Sequence, residues 1–437
     1  MEHQSPVKRK REKPPIAHDG PMTPDPQHGI HFQNNLQLWT ERSIRRWRSS
    51  SDAFPEDLSF FSRDEQLEKE REIERTIERL SNENERFERL SHGQRAAIRD
   101  QARGALLKSL FRSVEPEIED FLKDCESTAL AFVNAANSFD SSLPMEEVHQ
   151  ALRNQWVFNS IQRLFGQTLS LTPSSFAYSM LYPFTDNLLD GGSVDSANIE
   201  SFLCWLSHRL NGTEPASGGE ISESVDRLLF MIEQEYPRER FPFVYESLRA
   251  IHRAQQSGLL LRKVPQDSEE DDLLSISFMK GGTSVLVDGT LVSGSLTGDL
   301  AESVFSYGVA LQLIDDLQDL QDDQQARYSS AFTRAAQKGP LDGVANRLIH
   351  FVCTSLTEGF HQIACEDLSV TRLITQSCTY LILEAIARHK LLFSVGYLAR
   401  IQDRMPLRLE YLAGAKERMT ALINRMPSRP SEVVHAI

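Results

Sequence analysis

The chain has 437 residues, 40% apolar and 25% charged, so it can bury a large core and its length allows two or three domains. Its net charge of −15 argues against nucleic acid as a partner, because phosphate neutralisation supplies most of that affinity. No apolar run is long enough to predict a transmembrane segment, and no signal peptide opens the chain. Five scattered cysteines without a CxxC pair indicate a reducing compartment. We expect a cytoplasmic protein.

The N-terminal part is predicted to be a tail. Residues 1–30 carry six prolines, the basic cluster Lys8–Arg11 and almost no apolar side chains, a composition typical of disorder. We extend this disordered tail to residue 50. The cluster would be a nuclear localisation signal in a eukaryotic protein, although a solvated basic tail is the commoner meaning. Residues 51–94 form a charged helical segment with a short apolar seam, which we expect to pack on the main domain.

The body of the chain, residues 95–425, has the periodicity of helices nearly throughout, and almost nothing alternates as a strand would. We therefore predict an all-α bundle of about ten or more helices, followed by a C-terminal tail over 426–437. Within it, the glycine-rich segment 275–299 has low helix propensity and would let a ligand or a neighbouring helix come close. Lys280 is the one cation of that segment.

Two acidic motifs stand out in this body. Asp186 and Asp190 are four residues apart, so they would share one face of a helix, although carboxylates at this spacing are commonly solvated. The second motif lies in Ser303–Tyr328, which is predicted as one long helix. One stripe of this helix carries polar residues and a glycine: Gly308, Gln312, Asp315, Asp316, Asp319 and Asp323.

The rest of the 303–328 helix is apolar over much of its girth, which is typical of a buried helix. Buried carboxylates repel one another unless a positive charge lies among them. Divalent cations take carboxylate oxygens as ligands, so we predict a divalent cation at this stripe. A solvated acidic face is the alternative.

The strongest resemblance to a known family lies in Gly308–Asp319, GVALQLIDDLQD, which is similar to the second aspartate-rich motif of the class I isoprenoid synthases. The continuation to Arg327 and Tyr328 looks more like squalene and phytoene synthases. Asp186–Asp190, DNLLD, is similar to the first motif of bacterial large-terpene synthases. Lys280, in MKGGT, resembles the lysine before the family's small-residue helix.

This resemblance implies an isoprenoid synthase helical bundle with a central cavity. It implies that Mg²⁺ is held by five carboxylates, those of Asp186, Asp190, Asp315, Asp316 and Asp319. The implied substrate is a prenyl diphosphate, and the implied substrate-binding residues are Lys280, Gln312, Arg327, Tyr328 and Tyr182. Three further cations would add to the field by their location alone: Arg253, Arg262 and Lys263.

One departure from the family concerns chain elongation. Elongating members follow the first motif with a paired arginine, whereas 191–207 contains no arginine and Arg209 stands alone. We therefore expect an enzyme that ionises an allylic prenyl diphosphate, as a terpene synthase or a squalene/phytoene-like condensing enzyme does. A chain-elongating trans-prenyl diphosphate synthase and a non-catalytic helical scaffold are the alternatives. The complete acids of the second motif argue against the scaffold, and a homodimer stays open.

Overall fold

The computed structural model describes residues 26–87, 116–190, 196–213, 220–262, 269–361 and 368–414. Every regular element in these ranges is a helix, which confirms the all-α prediction. The start of the predicted helical body, residues 95–115, and the predicted tail over 426–437 lie outside the described residues. None of the described helices is long and apolar enough to cross a membrane.

The described part of the chain contains fifteen α-helices. They are α1 (Pro26–Ser49), α2 (Arg63–Phe87), α3 (Pro116–Phe139), α4 (Met145–Leu164), α5 (Pro173–Asp190), α6 (Ser196–Leu210), α7 (Glu220–Glu235), α8 (Pro242–Gly258), α9 (Glu270–Ser293), α10 (Gly298–Gln318), α11 (Leu320–Ala326), α12 (Ala331–Ala336), α13 (Asp342–His361), α14 (Leu368–Arg388) and α15 (Val395–Gln402). A 3-10 helix, Leu259–Arg262, extends α8, and a second, Lys390–Leu392, follows α14.

Helices α9 and α10 form the centre of the bundle and touch along their backbones. A Cβ atom added to Gly308 would lie 2.2 Å from the carbonyl oxygen of Gly281, and one added to Gly282 would lie 2.4 Å from the ring of Phe305. The glycines of α9 therefore serve the approach of a neighbouring helix. Packing outweighs their low propensity, because α9 runs unbroken from Glu270 to Ser293.

Two hydrophobic cores meet along α9. One lies between α9, α10, α13 and α14, and the other lies among α3 to α8. Asp288 of α9 is fully buried, and its Oδ1 accepts a hydrogen bond from Asn154 Nδ2 at 3.0 Å. Burial raises the pKa of Asp288 well above its ordinary value, which favours the neutral acid in the folded protein.

The disordered tail predicted over residues 1–50 is wrong for residues 26–49, which form α1. This helix packs on α9, α10 and α13 and buries five large apolar side chains: Phe32, Leu36, Trp39, Ile44 and Trp47. The ring centroid of Trp47 lies 5.8 Å from that of Phe351. The apolar residues of α1 are spaced three to five apart, a helical repeat that the proline-rich composition of 1–30 concealed.

Helix α2 packs on the last described stretch of the chain. Gln66 Nε2 donates to the carbonyl oxygens of Gln402 at 2.7 Å and Met405 at 2.8 Å. The buried carboxylate of Glu70 pairs with the guanidinium of Arg408 at 2.6 Å. The charged segment is thus attached to the main body through buried polar contacts.

Replacing Trp47 by alanine should lower the free energy of unfolding by about 3–5 kcal/mol, because a fully buried indole leaves a cavity in the main core. Arg45→Ala, on the exposed face of the same helix, should change it by less than about 0.5 kcal/mol. Urea unfolding followed by circular dichroism measures both. Equal effects would show that α1 does not contribute to the core in solution.

Gly308→Ala should destabilise the protein by about 1–3 kcal/mol or more, because its new methyl group would overlap the backbone of α9. Gly298→Ala, also on α10, meets no atom within 4 Å and should be neutral or stabilising by up to about 1 kcal/mol. Helix propensity alone would make both changes favourable. The sign of the difference in melting temperature therefore tests the backbone contact.

Candidate functional site at the end of helix α10

The helix predicted over 303–328 is in fact two helices, so that prediction is wrong in one respect. Helix α10 ends at Gln318, and α11 begins at Leu320 after Asp319, whose φ and ψ are −93° and 7°. The amide of Asp319 still donates to the carbonyl of Asp315 at 2.9 Å, and that of Asp323 to the carbonyl of Asp319 at 2.9 Å. The chain therefore bends at Asp319 without reversing.

Asp316 is the innermost acid of the second motif. Its Oδ1 accepts a hydrogen bond from Gln312 Nε2 at 2.8 Å, and its Oδ2 accepts one from Ser277 Oγ at 3.2 Å. Burial raises the pKa of Asp316 to about 7, and the charge of Asp315 adds to this effect. The two hydrogen bonds and Lys280 oppose it. Both oxygens of Asp316 are thus engaged within the protein.

The other acids of the stripe lie further out, with Asp315 and Asp319 exposed and Asp323 half-buried. Burial raises the pKa of Asp319, and Asp315 adds to the rise. Burial also raises the pKa of Asp323 to about 8, and the charges of Asp316, Asp319 and Asp315 add to it. Asp315, Asp316, Asp319 and Asp323, hereafter the acid cluster, therefore oppose one another's ionisation.

Cations from three other helices surround the acid cluster. Lys280 of α9 lowers the pKa of Asp316 and of Asp323. Arg153 of α4 and Arg388 of α14 lower that of Asp319. Sequence analysis missed Arg153 and Arg388, and also Ser277, because none of them belongs to a motif. Only the packing of the helices brings them to this end of the bundle.

The two remaining residues of the second motif are at the end of α11. Arg327 is exposed and adopts a left-handed backbone conformation with φ of 55°, which ends the helix. Tyr328 is half-buried against the main core, and its amide donates to the carbonyl of Asp323 at 2.8 Å. These two residues therefore hold the far end of the acid-bearing segment.

The first motif lies on α5, whose backbone is helical through Asp190 as predicted. The side chains of Tyr182, Asp186 and Asp190 lie outside the described residues. The course of α5 is nevertheless defined at its other end, where Ser174 N donates to Glu235 and the neighbouring Tyr236 hydroxyl donates to the carbonyl of Leu291.

One turn further along α5, the Tyr178 hydroxyl donates to the carbonyl of Ser284 at 2.9 Å. The start of α5 thus lies near residue 291 of α9, through Glu235 and Tyr236, and its next turn contacts residue 284, so α5 runs antiparallel to α9. At about 1.5 Å per residue, the backbone at Asp186 is level with the part of α9 near Ser277 and Lys280.

Sequence analysis considered four other cations, Arg209, Arg253, Arg262 and Lys263. Arg209 makes a bidentate ion pair with Glu233, at 2.6 and 2.7 Å, and a further one with Asp226. Arg253 lies on the exposed side of α8. The side chain of Arg262 and the whole of Lys263 lie outside the described residues.

An apolar cavity of about 40 Å³ lies beside α5. It is lined mainly by apolar side chains of α5 to α8, together with Thr185, His252 and Gln255. Pockets for small molecules usually measure roughly 300 Å³ or more, so this space alone would not hold a prenyl chain.

Comparisons with protein-family models, curated proteins and solved structures found no match to this chain. Within the described ranges, no three His, Cys, Asp or Glu side chains have the arrangement of a metal site. The oxygen donors of the acid cluster are nevertheless those that Mg²⁺ prefers, and Mg²⁺ commonly binds through one or two carboxylates together with substrate phosphates. The donor type therefore suits Mg²⁺, but the described side chains do not by themselves form a complete metal site.

The acid cluster should make stability depend on pH. Asp323 has a folded-state pKa of about 8, well above the ordinary value for aspartate, so the folded protein keeps a proton that the unfolded chain releases. This contribution is present at pH 4 and is lost as the pH rises through 8. We expect the melting temperature to fall between pH 5.5 and 8.5 without metal, and Asp323→Asn to reduce that fall.

Asp299→Asn, at the opposite end of α10, removes the same charge and is the matched control. It should keep the wild-type dependence on pH. Added Mg²⁺ should raise the melting temperature more at pH 8.5 than at pH 5.5, because the cation competes with protons for the same oxygens. A wild-type melting temperature that rises steadily over this pH range would contradict the assignment.

Proposed function

We propose that this chain is a Mg²⁺-dependent enzyme of the class I isoprenoid synthase type that ionises an allylic prenyl diphosphate. Its reaction would be that of a terpene synthase or of a squalene/phytoene-like condensing enzyme. The observation that carries the proposal is the acid cluster, in which neighbouring carboxylates raise one another's pKa at one end of the central helix pair. A divalent cation is the ligand that best relieves this repulsion.

The acids of the cluster would have different roles, because they differ in burial. Asp315, Asp319 and Asp323 would offer oxygens to Mg²⁺, since they are exposed or half-buried. Asp316, held by Gln312 and Ser277, would support the cluster from beneath. Bound Mg²⁺ would act as a Lewis acid that neutralises the diphosphate as the allylic C–O bond ionises.

Lys280 and Arg153 would bind the substrate's diphosphate directly, whereas Arg388 already pairs with Glu384. Lys280 acts on Asp316 and Asp323, and Arg153, from another helix, acts on Asp319. Their charge would steer a diphosphate–Mg²⁺ complex toward an otherwise acidic protein and hold the leaving group after ionisation. Asp186 and Asp190 would complete the site from α5, whose antiparallel course favours their approach to Lys280.

The state of Arg209 supports ionisation over chain elongation. Elongation requires a second diphosphate to be held, and Arg209 is the first cation after the first motif. Because both Glu233 and Asp226 already pair with it, it is poorly placed to bind another anion. A second diphosphate would then enter an acidic protein at an electrostatic cost.

Product analysis tests the proposal. The chain is incubated with Mg²⁺ and C10, C15 or C20 allylic diphosphates, each with and without labelled isopentenyl diphosphate. We expect release of diphosphate from at least one allylic substrate alone. Asp315→Asn should lower turnover by at least about 100-fold, because Asn keeps the shape and removes the ligand charge. Asp299→Asn should leave turnover within about twofold, as expected for a surface change away from the site.

The two alternatives give different outcomes. If every product contains added five-carbon units and none forms from the allylic substrate alone, the chain is an elongating synthase. If no substrate releases diphosphate at any Mg²⁺ concentration, the non-catalytic scaffold is favoured.

A further inference from the structure

The connection between α14 and α15, residues 390–395 and hereafter the tip, carries the most exposed large apolar side chains of the described ranges. Leu391 is 93% exposed and Val395 is 84% exposed, whereas the next two, Phe60 and Phe230, are each 54% exposed. Apolar residues scattered singly over a protein surface are normal. Here two of them lie four residues apart in one short connection, and the body of the protein covers neither.

Contacts with the body fix the backbone of the tip. The side chain of Phe393 is buried in the main core. The carbonyl of Leu392 accepts a hydrogen bond from the amide of Leu341 at 2.9 Å. The amide of Ser394 donates to Oδ1 of Asp342, also at 2.9 Å. Because these three anchors lie between the two exposed residues, the fold itself keeps both aliphatic side chains in the solvent.

The charge around the tip is positive, although the whole protein carries −15. No Asp or Glu occurs over residues 385–402, which contain Arg388, Lys390 and Arg400. Lys338 adds a further charge from the exposed loop that leads to Leu341, the residue bound to the tip. Lys338 and Lys390 are both exposed, and neither pairs with an acid within the described ranges. Two cations are thus free to meet an anionic surface.

The tip lies at the same end of the bundle as the acid cluster. The carbonyl of Gln318, directly before the bend at Asp319, accepts hydrogen bonds from Arg388 Nη1 at 3.2 Å and from His389 Nε2 at 3.0 Å. His389 is the residue between α14 and the tip. A surface that binds the tip would therefore come close to this end of α10.

These features favour a lipid surface over a protein partner. A stable protein interface buries about 800 Å² on each side and requires a matching shape. Two aliphatic side chains that protrude from a short connection offer much less area than this. A lipid interface accepts such side chains at the boundary between headgroups and acyl chains, and nearby lysines add attraction to anionic headgroups.

We propose that the tip is a membrane-docking element. Leu391 and Val395 insert into the boundary between headgroups and acyl chains of an anionic lipid surface, and Lys338 and Lys390 bind its headgroups. The binding is reversible, because two side chains bury less apolar surface than a single acyl chain does. This inference goes beyond the proposed function and does not rest on its chemistry.

Co-sedimentation of the full chain with vesicles tests the docking element. The vesicles contain phosphatidylcholine alone or together with about 30% phosphatidylserine. We expect binding to the anionic vesicles and weaker binding to the neutral ones. Leu391→Ser and Val395→Ser should each lower the partition coefficient on anionic vesicles at least about tenfold, because each withdraws two or more carbon atoms from the lipid. Lys390→Gln should lower it about fivefold on anionic vesicles alone.

Leu368→Ser is the matched control, because Leu368 is 49% exposed at the opposite end of α14. This variant should bind both kinds of vesicle as the wild type does. The melting temperature of every variant should stay within about 2 °C of the wild-type value, as is usual for substitutions on the surface. A change in vesicle binding then reports on the tip and not on folding.

Several results would overturn the docking element. They are absence of wild-type binding to either kind of vesicle, wild-type binding in both Leu391→Ser and Val395→Ser, and an equal loss in Leu368→Ser. Equal wild-type binding to neutral and anionic vesicles would overturn the role of the lysines. Sedimentation velocity without lipid covers the other possible partner, since self-association that Leu391→Ser abolishes would make the tip a contact between copies of this chain. None of these results bears on release of diphosphate, so the proposed function stands or fails separately.

Discussion

The backbone contact between α9 and α10 is the constraint on which the site depends. With glycine at 281 and 308, the two helices approach until no side chain separates their axes. At that distance a short Ser277 side chain reaches across to Asp316. A bulkier crossing would separate the helices, leaving the buried carboxylate with one protein donor fewer and a larger desolvation penalty. The hydrogen bond from Ser277 to Asp316 thus depends on glycine, which has no Cβ atom, at both positions.

The acid cluster is also a source of instability that the fold tolerates. Carboxylates whose pKa values are raised by burial and by one another oppose folding at neutral pH. Such local conflicts are typical of functional sites, because a sequence selected for stability alone would replace them. The fully buried Asp288 of the neighbouring helix α9 is a second carboxylate whose pKa is raised by burial.

Local periodicity predicted much of the fold, because a helix that packs on a core must repeat its apolar residues every three or four positions. The burial of Leu313 and Leu317 and the helical course of α5 follow from it. The bend at Asp319 does not, since the donors that hold it are about 70 residues away in sequence. Helix α1 has the same kind of apolar repeat, which ends at Trp47. The proline-rich composition of residues 1–30 instead led to the prediction of a disordered tail.

The position of α1 has a consequence for synthesis. Trp39 and Trp47 pack on Phe305 and Phe351, so their partners emerge from the ribosome about 270 to 300 residues later. At 5–20 residues per second, that interval is roughly 15–60 s. Throughout it, the two tryptophans of this amphipathic helix lack these native partners. The first described helix to be made is therefore among the last to be fully buried.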